Sequence, residues 1–186
     1  MALEIERRFL VVGAGWRSHV RWRRHLRQGY LLTAADGLTL RVRLADAAPG
    51  AGEPPEAWLT LKARPQPDDG LTRLEYEYPI PPADAGQLLD LCPDRLIEKW
   101  RHGLDLPGGD WVLDVFAGAN APLVVAEVEL HHAEAPLSIP PWCGPELTGR
   151  HDLSNAALAS RPLAQWLAEE RRALLGAGAG GDGRID

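Results

Sequence analysis

Long apolar runs are missing from these 186 residues. No stretch approaches the roughly 20 residues that a membrane-spanning helix needs, and charge appears as early as Glu4, where a signal peptide would still be apolar. The expectation is a cytoplasmic protein with no membrane partner. Cysteine is scarce: Cys92 and Cys143 stand apart, in no paired motif. That argues against a disulfide framework and for a reducing compartment. A positive excess is also missing. The net charge is −6 and the pI about 5.5, which disfavours nucleic acid as a partner but leaves room for a local basic site. No internal repeat is present.

What is there is ordinary globular material, 45% hydrophobic and 25% charged. The length suits one core, and a single domain is expected over residues 1–175. The tail 176–186, "GAGAGGDGRID", has no apolar content to bury and is expected to be disordered. Eight segments read as strands: 3–12, 28–33, 38–44, 57–64, 72–80, 96–104, 111–116 and 124–131. Turn-forming stretches such as "AADG", "PQPDDG" and "LPGGD" separate them. Many short strands at this spacing predict an antiparallel barrel or sandwich. Helices are expected at 15–27, at 82–92 with proline at its start, and through "NAALASRPLAQWLAEERRALL", broken or restarted near Pro162.

The strands share an uncommon trait. In "LEIERRF", Glu4, Glu6 and Arg8 recur at every second position, so they share one face. The pattern repeats with Arg41 and Arg43, with Thr60 and Lys62, with Arg73, Glu75 and Glu77, with Lys99 and Arg101, and with Glu127 and Glu129. Asp114 sits alone among apolar residues. A single wet face is the ordinary explanation of such alternation. Here the signs segregate by strand, however, and like charges sharing a face repel unless a counter-ion lies between them. Carboxylate pairs invite a divalent cation and basic pairs invite a polyanion. If the sheet closes, the charged faces share an interior, and a cavity holding metal and a phosphate chain satisfies both signs.

Taken together, "EIERRFLV", "QGYL", "LRVRL", "LTLKA", "RLEYEYPI", "IEKWR", "WVLDVFAG", "LVVAEVEL" and "LTGRHDLSNAALA" resemble, in content and order, the CYTH family, the triphosphate tunnel metalloenzymes. The resemblance covers roughly residues 3–159. It implies an α+β fold: an eight-stranded antiparallel tunnel with helices packed outside. It implies Mg²⁺- or Mn²⁺-dependent hydrolysis of inorganic triphosphate, a small-molecule partner, by a monomer or homodimer. Carried over by position, Glu4, Glu6, Asp114, Glu127 and Glu129 are the expected metal-side carboxylates. Arg41, Arg43, Lys62, Arg73 and Arg101 are the expected substrate-binding cations, and Arg8, Tyr30 and Lys99 are expected at the catalytic centre. Glu75 and Glu77 are expected to support their neighbours by ion pairing.

Two positions depart from the family pattern. Arg8 stands where the hallmark Glu-x-Glu-x-Lys has lysine, and Asp152-Leu153 replace the aromatic contact that often precedes the family's x-Asn, here Ser154-Asn155. Arginine keeps the charge but neither titrates near neutrality nor offers a compact ammonium. Arg8 therefore keeps a non-catalytic polyphosphate-binding module in view. An adenylyl cyclase or a thiamine or nucleoside triphosphatase of the same family is the other alternative, though no clear base-recognition pocket is evident. The basic run Arg17, Arg21, Arg23, Arg24 and Arg27 reads as a solvated face, and His131-His132 face opposite ways on a strand. Trp58, Trp100, Trp111 and Trp166 read as packing against outer helices, and Cys92 as core.

Overall fold

The computed structural model describes residues 2–46, 54–64, 72–130, 132 and 135–179, with side chains from residue 5 onward except those of 72–73 and 177–179. The architecture is α+β. Nine strands form a mostly antiparallel sheet: β1 (Ala2–Val11), β2 (Val20–Thr33), β3 (Thr39–Ala45), β4 (Glu56–Ala63), β5 (Thr72–Pro79), β6 (Leu96–Leu104), β7 (Asp110–Phe116), β8 (Val124–Glu129) and β9 (Cys143–Glu146). Their order is β5-β4-β3-β2-β6-β7-β8-β1-β9, and β5 also pairs with β1, from Ala2 opposite Glu75 to Ile5 opposite Thr72. The strand count exceeds the expected eight by β9. This four-residue strand contains Gly144 and Pro145 and meets β1 at Phe9 and Val11. Proline donates no ladder hydrogen bond and is tolerated at such an edge.

The helix expected at 15–27 is largely strand. A short 3-10 turn covers Gly15–His19, and β2 then runs straight through Val20–Thr33. Its arginines find partners that a helix would not align. Arg21 pairs with Asp105, Arg24 with Glu56, and Arg27 with Asp46 at 3.3 Å, while Arg23 lies over the Trp100 ring.

Three helices pack on the sheet: α1 (Pro82–Asp90) on the face away from the charges, and α2 (Asn155–Ser160) and α3 (Ala168–Ala179) on the charged face itself, against Leu10, Ile97, Phe116 and Val125, which continue the charged stripes. α1 starts on proline, as its sequence predicts, and α2 is capped by Ser154 Oγ, which accepts from the Ala157 N–H at 3.2 Å. The chain leaves α2 at Arg161-Pro162, passes through a 3-10 turn at Leu163–Gln165 and restarts as α3. α3 continues to Ala179, and residues 180–186 of the expected tail lie outside the described residues, as does His131.

The apolar positions of β2, β6 and β7 form one core with α2 and α3 (Ile97, Phe116, Leu158, Trp166, Leu174). Val42, Leu44 and Ala57 form another beneath Ala85 and Leu89 of α1. A third joins Phe9, Trp111 and Trp142. Trp166 packs with the helices as expected. Trp58 does not: it stands opposite Arg43, on the Lys62 side of β4. Trp100 packs on His25, ring centres 4.9 Å apart. Gly29 is required where β2 passes the end of α1, because a Cβ there would lie 2.3 Å from Cys92 Sγ. Among the described residues no helix is long and apolar enough to cross a membrane.

Candidate active site

On the face away from α1, the alternating charges converge on a cavity of ≈ 310 Å³. β1 contributes Glu6 and Arg8, β2 Tyr30, β3 Thr39, Arg41 and Arg43, β4 Lys62, β5 Glu75 and Glu77, β6 Arg101, and β8 Glu127 and Glu129. The remaining wall is the irregular segment after β9, through Thr148, Gly149, Arg150, His151 and Ser154, together with Asn155 and Ala156 at the start of α2. Register explains the convergence. Tyr30 opposes Arg41, Lys62 opposes Glu75, Arg8 opposes Glu127, and Glu6 opposes Glu129. Antiparallel partners project to the same face, so each charged stripe meets the next.

The acidic side is held by a chain of ion pairs. Arg8 Nε donates to Glu127 Oε1 at 3.2 Å, and Arg101 Nη2 donates to Glu127 Oε2 at 2.7 Å. Arg101 also grips Asp114 with both arms of its fork, Nε to Oδ1 at 2.8 Å and Nη2 to Oδ2 at 2.7 Å. Lys99 Nζ donates to Asp114 Oδ2 at 2.6 Å and to Asn155 Oδ1 at 3.1 Å. Lys99 and Asp114 are both 0% exposed, and neither lines the cavity. Burial pushes the Asp114 carboxyl up, but Arg101 and Lys99 outweigh it and hold the group well below the usual carboxylate range. Burial lowers Lys99 to about 8 despite the pull of Asp114. Glu127 is held below its ordinary value, chiefly by Arg101 against the effect of burial.

The basic side differs. Arg41 Nη2 donates to Thr60 Oγ1 at 3.0 Å and lies 3.4–3.5 Å from Glu77 and Glu75. Lys62 Nζ is 3.0 Å from Glu75. Glu75 and Glu77 thus hold neighbouring cations. Arg43 has no hydrogen bond or ion pair among the described residues, and its buried Nε, like that of Arg41, is orphaned. Burial, then the Arg41 and Arg101 guanidiniums, lowers the pKa of Arg43 to about 9, so it remains a cation at neutral pH. An unpaired buried donor is costly, and this one is placed where an anion would satisfy it. The Tyr30 phenol accepts from Gln28 Nε2 at 3.1 Å, and burial raises its pKa.

The structure therefore brings Glu6, Arg8, Tyr30, Arg41, Arg43, Lys62, Glu75, Glu77, Arg101, Glu127 and Glu129 to one cavity. It sets Lys99 and Asp114 behind the wall. The side chains of Glu4 and Arg73 lie outside the described residues. Sequence reasoning missed Thr39, which continues the Arg41-Arg43 alternation. It also missed Thr148, Arg150 and His151, which sit on chain without periodicity. Among the described residues the cavity wall carries six cations (Arg8, Arg41, Arg43, Lys62, Arg101, Arg150) against five carboxylates.

No family model matches the chain. It is 36% identical over 163 residues to the inorganic triphosphatase of Acetivibrio thermocellus, spanning 87% of this chain and 96% of that protein. It is 38% identical over 159 residues to the inorganic triphosphatase of Nitrosomonas europaea, spanning 84% and 96%. A solved crystal structure of an inorganic triphosphatase matches it with a TM-score of 0.59 at 35% identity, over 86% of this chain and 96% of that one.

Proposed function

This chain belongs to the CYTH family, together with the inorganic triphosphatases, and from that premise we propose that it hydrolyses inorganic triphosphate with a divalent metal ion, Mg²⁺ or Mn²⁺. The observation that carries the reading is Arg43, a half-buried cation with no partner among the described residues, flanked by Arg41, Lys62 and Arg101. An unpaired cation beside other cations is costly, and an anion of high charge density would satisfy it. The pairing of β5 with β1 brings the end of the strand order back onto β1, and we take the charged face to be a tunnel interior on that account.

Among the described residues the wall charges almost cancel, so these groups do not neutralise a triphosphate alone. A divalent ion bound there would add positive charge and would lower the pKa of a bound water. The donor set suits a hard cation. Glu6 and Glu129 stand in cross-strand register, with Glu127 two pairs along on the same face. Among the described residues no three acidic, histidine or cysteine groups converge as a ready-made cage. Magnesium-type ions are commonly held in this way, by one or two carboxylates with phosphate oxygens and water completing the shell.

The chain's own residues do the rest. Arg41, Arg43 and Lys62 bind non-bridging phosphate oxygens and align the substrate. Arg101, fixed by Asp114, presents its guanidinium at a set angle to the charge that develops on transfer. Tyr30, neutral and buried, orients an oxygen by hydrogen bonding. The test is phosphate release from inorganic triphosphate with Mg²⁺, Mn²⁺ or EDTA, with ATP and thiamine triphosphate alongside. Metal-dependent release from triphosphate is expected. Tight binding without release overturns the hydrolase reading in favour of a binding module.

A further inference from the structure

The wall between β9 and α2 has little regular structure of its own. Residues 148–155 contain a positive φ at Gly149 (77°) and one 3-10 turn, His151–Leu153. Apart from buried Leu147 and Leu153, at 2% and 0% exposure, it is held by polar contacts from two directions. From β1, the Arg8 N–H donates to Thr148 Oγ1 at 3.0 Å, the Arg8 carbonyl accepts from the Leu147 N–H at 2.7 Å, and Arg8 Nη2 donates to the Leu153 carbonyl at 3.0 Å. From β6, Lys99 Nζ donates to Asn155 Oδ1 at 3.1 Å. The two cations are joined through Asp114, behind the wall, and through Arg101 and Glu127, which line it. The circuit thus begins and ends on the same strap.

We propose that Arg8 and Lys99 are positioning residues that latch the 148–155 strap over the cavity, so that Arg8 acts on the reaction through the strap and Glu127 rather than on the attacking water. The part that concerns the reaction rests on the triphosphatase reading above; the latch itself does not. Three observations support it. Arg8 is 7% exposed, and two arms of its guanidinium are already committed, to Glu127 and to Leu153. An arginine cannot take a proton from water near neutrality. The rigid fork fixes both contacts in one geometry, whereas a lysine ammonium at position 8, a single nitrogen on a flexible stem, would hold the strap less firmly.

The experiment is hydrogen exchange of the intact protein without substrate, for wild type, Arg8→Lys, Arg8→Met and Asn155→Ala, followed by pH–rate profiles on triphosphate. Hydrogen bonds to charged groups are strong enough that losing one is expected to speed exchange across 148–156 by about tenfold or more. Peptides from β3 and β4 should keep wild-type protection. Arg8→Lys should fall between wild type and Arg8→Met, with an unchanged pH–rate shape. Wild-type strap exchange in Arg8→Lys and Asn155→Ala overturns the latch, even if Arg8→Met does not fold. A new limb in the Arg8→Lys profile overturns it too, by assigning position 8 to the water. A wild-type protein inactive on triphosphate would refute the hydrolase reading and leave the exchange result standing.

Discussion

Replacing Asp114 by asparagine is the most severe single change the site offers. The carboxylate is 0% exposed and bridges Lys99, also 0% exposed, to Arg101. Asparagine fills the same space but leaves Lys99 with a neutral partner and Arg101 with Glu127 alone. Breaking one partner out of a buried ion pair costs about 3–5 kcal/mol, roughly 6–20 °C in Tm for a chain of this length. The pH dependence sharpens the test. Lys99 in the folded protein lies at about 8, below its ordinary 10.5. Between those values the unfolded chain binds more protons, so stability rises with pH across that window. Without Asp114 the folded value drops further and the window widens downward. The deficit of Asp114→Asn should therefore be largest near pH 7 and shrink by pH 9.5, where Lys99 is neutral. Asp114 itself is depressed from 3.8, so its contribution is present above that value and is lost as pH falls through the lower one. Thermal unfolding by circular dichroism at both pH values reads this directly, and Lys99→Met/Asp114→Asn should regain part of the loss. A deficit within about 1 kcal/mol of wild type, or one identical at pH 7 and 9.5, refutes the argument, since breaking a buried pair costs about 3–5 kcal/mol.

Arg43→Ala should raise KM for triphosphate by roughly tenfold or more, the worth of charge-assisted hydrogen bonds, while leaving Tm unchanged or higher, because a half-buried cation without an ion pair is removed. Steady-state kinetics and a melting curve check both halves. His25 lies between Asp46, 2.6 Å from Nδ1, and Glu98, 2.8 Å from Nε2; burial lowers its pKa, but these hydrogen bonds outweigh it and the net shift is upward. Its stabilisation is full below the ordinary value of 6.5 and is lost as pH rises through the raised one, so Tm should decline over that range in wild type and stay flatter in His25→Gln. Gly29→Ala should destabilise by about 1–3 kcal/mol through overpacking, since the new methyl meets Cys92 Sγ, Leu96 and Leu89; chemical denaturation giving less than a few tenths would contradict the close approach of β2 to α1.

Most of the sheet was legible because its charges alternate. β3, β4 and β8 alternate charged or polar residues (Arg41 and Arg43, Thr60 and Lys62, Glu127 and Glu129) with apolar ones, and their boundaries fall within a residue or two of expectation. The first half of β2 was not legible for the converse reason. Arg23 and Arg24 point to opposite faces, one onto Trp100 and the other to Glu56, so polar residues fill both faces and the period vanishes. β9 is too short and too rich in glycine and proline to announce itself. In the site, Arg41, Arg43, Lys62, Glu127 and Glu129 followed from periodicity. The withdrawal of Asp114 and Lys99 from the cavity did not, because only three-dimensional pairing decides whether a carboxylate meets solvent or a buried cation. Thr148, Arg150 and His151 reach the cavity through tertiary contacts alone.

β1 has a temporal consequence. Its partners Glu127 and Leu153 lie 119 and 145 positions further along the chain. At about 5–20 residues per second of synthesis, that separation corresponds to a wait on the order of ten seconds. Throughout it, the strand bearing Glu6 and Arg8 has neither edge filled by β8 or β9, and its apolar Phe9 and Leu10 are uncovered. A strand made well before its partners is finished late, which makes β1 a segment that gains from a chaperone's cover during biosynthesis.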